Sequence, residues 1–272
     1  MSTSIDQAFI EQFESEVKAA YQRKGSMLRN TVRVKTGVIG EATTFQTVGK
    51  TAATGKARHA PIPPANQDHT PVLCPITDEY IGDYVDQLDQ LKTNSDERMN
   101  IANANVWALG RAHDAKIVTA LELGTLVAGS GVDGLTLAKA KEASRILDEN
   151  DVPRDGERFA IVSPGAWEDL LDIEEFSSAD YVRAENLPYV EDGAKKWNGA
   201  MWMQFTGLGI TANVRRCFMY HRSSTGFAVQ QEIDLDVDWE GSRRGHFVSS
   251  ATATGSCLID NRGVVEMPVL EG

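Results

Sequence analysis

Residues 94–124, NSDERMNIANANVWALGRAHDAKIVTALELG, predict a single helix. Asn94 can cap the first turn, and Glu97 stands three residues on, where a capping box places its acid. Asp96 and Glu97 put negative charge at the positive end of the helix dipole. Gly124 supplies a C-terminal stop. At about 1.5 Å per residue such a helix exceeds the ~30 Å diameter of a small domain. It reads either as a long helix within a globular enzyme or, more sharply, as the spine of an elongated subunit. Ala102, Val106, Leu109, Ile117 and Ala120 form its apolar stripe. Ala104, Ala108, Ala112 and Ala115 make a second face of small residues, fit for close packing.

The chain before the spine has the opposite character. Residues 5–21 predict a short amphipathic helix with Phe9, Phe13 and Val17 on one side. TVRVKTG and TTFQTVG alternate as strands do, around a turn at Gly37 to Gly40. The next stretch, TAATGKARHAPIPPANQDHTP, offers almost nothing to bury. Nearly 40 residues without a core of their own are ordered only by leaning on something else. Phe45, Val48, Val38 and Ile39, with the dense threonines, favour an ordered extended hairpin that another chain completes. Disorder is the alternative. Val72 to Cys74 predict a strand, and DEYIGDYVDQLDQL a short helix with Tyr80, Val85, Leu88 and Leu91 buried.

Charge follows the same division. Between residues 18 and 58 nine bases face one acid, Glu41, so this segment carries +8 in a chain of net charge −12. A basic arm is joined to an acidic body. Such an arm binds nucleic acid, or lies across the acidic body of an identical neighbour. Arg29, Arg33, Lys35, Phe45, Lys50, Lys56 and Arg58 are the candidate intersubunit contacts.

After the spine, LTLAKAKEASRILDEN predicts an amphipathic helix with Leu137, Ala140, Ala143, Ile146 and Leu147 inward. RFAIVSPGAWEDLL predicts a strand from Phe159 to Val162, then a helix capped by Ser163 with Pro164 in its first turn. The remainder is mostly β: AMWMQF, GITAN, CFMYH, GFAVQ, DLDVDW, HFVSSAT, CLIDN and VVEM. In IDLDVDWE the residues Ile233, Leu235, Val237 and Trp239 alternate with Asp234, Asp236 and Asp238, predicting a half-exposed strand with the acids in solvent.

No nucleotide-binding, hydrolase or zinc motif is present. The histidines are scattered without ligand spacing, Ser163 reads as a cap, and the five tryptophans read as packing anchors. No catalytic residue, metal or cofactor is predicted, so the chain does not read as an enzyme. The widely spaced Cys74, Cys217 and Cys257 read as reduced structural thiols. No membrane-spanning run or signal peptide is seen, which predicts folding in the cytoplasm.

The order of elements resembles the major capsid proteins of tailed bacteriophages, of the Hong Kong 97-type fold. RFAIVSPGAWEDLL is similar to the strand, Ser-Pro and helix early in their axial domain, and GHFVSSATATGSCLIDNRGVVEM to their closing strands. The resemblance implies an α+β fold: an N-terminal arm over 1–34, an extended loop over 35–74 and a peripheral domain with the spine over 75–134. An axial domain over 135–225 and closing, mainly peripheral, strands over 226–272 complete it. It further implies hexamers and pentamers in an icosahedral shell, a scaffolding protein and a portal as partners, and DNA held by enclosure in a virion. An encapsulin-type nanocompartment shell and a nucleic-acid-binding protein using residues 18–58 stand as alternatives.

Overall fold

A computed structural model describes residues 22–87, 97–177 and 194–271. The predicted helix over 5–21, the cap Asn94, the first-turn acid Asp96, and Leu88 and Leu91 lie outside them. The chain divides into two compact units. The smaller holds residues 78–112 and 231–253 with the first 26; the larger holds 27–77, 113–230 and 254–272.

In chain order the elements are β1 (Arg33–Thr36), β2 (Ala42–Val48), β3 (His69–Pro75), β4 (Thr77–Asp86), α1 (Glu97–Leu121), β5 (Leu126–Val127) and α2 (Leu137–Glu149). Then come β6 (Arg158–Val162), α3 (Pro164–Leu171), α4 (Glu174–Ser177), β7 (Ala194–Trp197), β8 (Ala200–Gln204) and β9 (Ile210–Thr211). The chain closes with β10 (Val214–His221), β11 (Thr225–Glu240), β12 (Gly245–Leu258) and β13 (Val264–Leu270).

The spine forms as α1 and contributes residues to both units. In the smaller unit its Ala102 packs with Val85 and Val248. Gly110 interrupts the helix sequence for a reason of space. A Cβ there would stand 2.6 Å from the backbone of Gly25, so the incoming chain lies directly on the helix. Arg111 Nη1 fixes that approach by donating to Gln22 Oε1 and the Arg23 carbonyl, at 3.0 and 3.2 Å. In the larger unit Ile117, Val118 and Leu121 enter the main core. There Asp114, fully buried, accepts the backbone N–H groups of Met27 and Leu28 at 3.1 and 3.0 Å. Ala104, Ala108 and Ala112 are half-buried and Ala115 exposed.

The larger unit is built on a seven-stranded sheet, ordered β5-β13-β10-β6-β8-β7 with β9 beside β10. Its central strands are apolar on both faces, as a sheet covered on both sides requires: Ala160 to Val162, Cys217 to Tyr220, and Val264, Val265, Met267 and Val269 are buried. Thr136 caps α2 through Lys139 N. Ser163 caps α3 by accepting from Ala166 N at 3.2 Å, with Pro164 in the first turn. Buried Lys139 donates through Nζ to the carbonyls of Asp133 and Pro268, at 2.6 and 3.0 Å.

Three readings of the sequence are corrected. The segment after β3 is a strand, not a helix: Glu79, Ile81 and Val85 turn inward at even spacing, and Tyr80 is 77% exposed. Gly82 suits a strand because the Phe247 ring lies 2.6 Å from where its Cβ would be. The strands after Gly226 do not stay together, since β13 pairs with β10 in the centre of the larger unit's sheet. The apolar side of residues 233–239 is also open: Leu235, Val237 and Trp239 are 44, 42 and 49% exposed, so Trp239 is no buried anchor.

Candidate assembly interface

The hairpin of the larger unit pairs differently from the predicted arrangement. β1 does not fold back on β2; it runs parallel to residues 226–229 of β11. β2 pairs antiparallel with β3, from Ala42 opposite Pro75 to Val48 opposite His69. Gly37 and Gly40, at φ of 69° and 104°, supply the left-handed backbone that turns the chain from one partner to the other.

The base of this hairpin is rooted in the chain's own body. Thr43, Phe45 and Cys74 point inward, and Phe45 packs with Val38, Cys74, Ala228, Cys257 and Ile259. Gly226 is required beneath it, because a Cβ would meet the Phe45 ring at 2.7 Å. The Arg33 guanidinium and the Lys35 ammonium lie 5.7 and 5.9 Å from that ring's centre. Lys35 Nζ donates to Thr43 Oγ1 at 2.7 Å. Phe45, 3% exposed, is therefore a packing residue and not an open contact, which corrects its reading as an intersubunit side chain. Arg33 and Lys35 brace it, and half-buried Arg29 sits in the 3-10 turn ahead of β1.

Beyond Val48 the burial ends. Gly49 N donates to the Asp68 carbonyl at 2.9 Å, and from residue 49 to 71 every residue but Ala60 is exposed. Lys50 forms an ion pair with Asp151, solvated on both sides; the lysine holds the Asp151 carboxyl below its ordinary range. Lys56 Nζ donates to the Ala60 carbonyl at 3.1 Å, and Arg58 has no partner among the described residues. The structure thus gathers Arg33, Lys35 and Phe45 at the base and carries Lys50, Lys56 and Arg58 outward.

One polar cluster was not legible in the sequence. His221 Nε2 lies 3.2 Å from Asp155 Oδ1, and Glu157 stands close enough that one ligand atom from each falls within 4.8 Å of the others. Each already has a protein partner. Ser223 N–H points at His221 Nδ1, which leaves Nε2 as the N–H donor to Asp155. Glu157 accepts from Arg222 Nη1 at 3.0 Å. The cluster is a satisfied hydrogen-bond network. No described helix is long and apolar enough to cross a membrane.

Residues 5–271 match the family model of the phage capsid protein. The chain belongs to that family. Its fold is shared with solved phage capsid chains at low identity. A Mycobacterium phage Che8 chain matches at 19% identity and a TM-score of 0.73, over 96% of this chain and 97% of that one. The cyanophage P-SCSP1u capsid matches at 16% and 0.75, covering 98 and 94%. The Ralstonia phage GP4 capsid matches at 12% and 0.73, covering 100 and 99%. No curated protein matches significantly. This is the Hong Kong 97-type α+β fold, and the chain is a phage major capsid protein, from a structural family of the virion. The nanocompartment and nucleic-acid-arm alternatives are not favoured.

Proposed function

We propose that copies of this capsid protein close into hexamers and pentamers of an icosahedral shell around double-stranded DNA, with the basic hairpin as the clasp between neighbours. The observation that carries this reading is the contrast along the hairpin: a rooted base, then 20 residues from 49 to 68 that bury almost nothing within their own chain. A basic, coreless projection gains order by covering a neighbour of opposite charge, and repetition of a head-to-tail contact closes rings. The net charge of −12 also suits a container, since it repels the packaged polyanion instead of pinning it. DNA would be held by enclosure, with no sequence-specific contact. Assembly takes place in the host cytoplasm, with a scaffolding protein and a portal as partners supplied separately.

Electron microscopy of the purified full-length chain, alone and with its scaffolding protein, tests this. Rings or closed particles are expected. A chain that stays monomeric under both conditions contradicts the reading.

A further inference from the structure

The smaller unit leaves an open groove on one face of its sheet, where the strand order is β11-β12-β4. Alternation brings Tyr80 from β4, Phe247 and Ser249 from β12, and Asp234 and Asp236 from β11 to that face. They line a cavity of about 430 Å³. Its floor is aromatic, since the absence of a side chain at Gly82 lets the Phe247 ring lie across β4. Its rim is acidic. Asp234 and Asp236 are exposed, and among the described residues neither has a partner. Among the described residues no strand pairs with the outer edge of β11 here, because β1 pairs with residues 226–229.

An aromatic groove with an acidic rim selects a cationic peptide already in polyproline conformation. The hairpin tip holds a basic turn, Lys56-Ala57-Arg58-His59, with His59 in left-handed backbone at φ 69°, leading into the proline-fixed run Ala60-Pro61-Ile62-Pro63-Pro64. Each proline fixes its own φ, and Ala60, Ile62 and Pro63 are pushed to extended backbone by the proline that follows. Pro61 and Pro64 are one turn apart in a helix of three residues per turn, so they share a side. A turn closed by Ala60 N donating to the Ala57 carbonyl, at 3.0 Å, sets Arg58 just ahead of them. Ile62 is 76% exposed and lacks any described core. Strand addition does not suit this segment, because three of the four residues 61–64 have no N–H to donate.

We propose that the groove of Tyr80, Phe247, Asp234 and Asp236 receives residues 56–64 of a second copy of this chain, Arg58 on the aspartates and the prolines on the aromatic rings. The assignment rests on the shell reading and names the surface on which the clasp closes. Being preformed, the segment loses little conformational freedom on docking. Each contact is weak, and repetition around a ring gives the avidity.

Two measurements test it. The first is fluorescence anisotropy of a labelled peptide of residues 54–66. The host is the full chain with its own 56–64 replaced by Gly and Ser, which frees the groove. Saturable binding is expected, with at least ~tenfold loss on Asp234→Lys/Asp236→Lys or Tyr80→Ala in the protein, or Pro61→Ala/Pro64→Ala in the peptide. Equal binding of a scrambled peptide, or no binding, overturns the proposal. The second is charge exchange in assembly. Lys56→Glu/Arg58→Glu and Asp234→Lys/Asp236→Lys chains should each assemble poorly, and an equal mixture should recover rings because each tip meets a complementary groove on the other chain. If the mixture fails while one chain carrying all four changes recovers, the contact lies within a chain and the second-copy assignment is wrong. If the unaltered chain forms no particles at all, the shell reading fails, and peptide binding still decides the groove.

Discussion

The two ends of the hairpin are held by different things. At its base, Phe45 and Cys74 are part of a buried cluster and Gly226 is hollowed out to admit the Phe45 ring. Toward its tip, hydrogen bonds such as Gly49 N to the Asp68 carbonyl and Gln67 Nε2 to Thr51 Oγ1 close the hairpin on itself, and among the described residues a solvated Lys50–Asp151 pair ties it to the body. The seven-stranded sheet extends the contrast, being apolar on both faces where the tip is apolar on none. Stability of the fold and order of the tip are therefore separable. The first is intramolecular, and the second, on the proposed shell reading, comes from a neighbour.

Substitutions should respect that separation. Trp202 is fully buried, with Nε1 donating to the Trp197 carbonyl at 3.0 Å. Trp202→Ala should cost ~3–5 kcal/mol in chemical denaturation and reduce soluble yield. Phe45→Ala should cost about 3 kcal/mol by opening a cavity at the hairpin base. Hydrogen exchange should then rise across β2 and β3 while β10 and β13 keep their protection.

Asp148 sharpens the intramolecular side. Its carboxyl is held down at about 2, first by the Arg154 hydrogen bond and then by Arg158, whose side chain is fully buried. The folded value lies below the unfolded 3.8, so the stabilisation is present above pH ~4 and disappears as pH falls toward 2. With the carboxylate partly in solvent, this pH-dependent part is about 1 kcal/mol. Asp148→Asn should flatten the acid limb of a stability–pH curve. It should also cost roughly 2–4 kcal/mol at pH 7, because buried Arg158 loses its carboxylate. Lys50→Ala should leave the denaturation midpoint essentially unchanged, since both partners of its ion pair are solvated.

The sequence reveals elements whose signals are local. The spine follows from its periodicity, and the Thr136-capped helix and the Ser163-Pro164 start of α3 from caps within a few residues. Pairing was less legible. β2 finds β3 across 20 residues, while the nearer β1 takes its register from Gly226 to Val229, far along the chain. Val85, Leu88 and Leu91 mimic helical spacing in the sequence, whereas the inward alternation of Glu79, Ile81 and Val85 and the Gly82–Phe247 contact mark residues 77–86 as strand. The missed pair at Asp155 and His221 is joined by folding alone, 66 residues apart. The acidic face of β11 was correctly read as solvated, but nothing local in DLDVDWE shows that its apolar face is open too.

The most direct test removes the tip and spares the base. Residues 51–67 are replaced by a short Gly-Ser turn, keeping Phe45, Cys74 and the β2–β3 register, and thermal unfolding is followed beside electron microscopy of the same sample. A near-unchanged melting temperature with loss of closed particles is the predicted result. Closed particles of normal form would contradict the claim that the tip is the clasp.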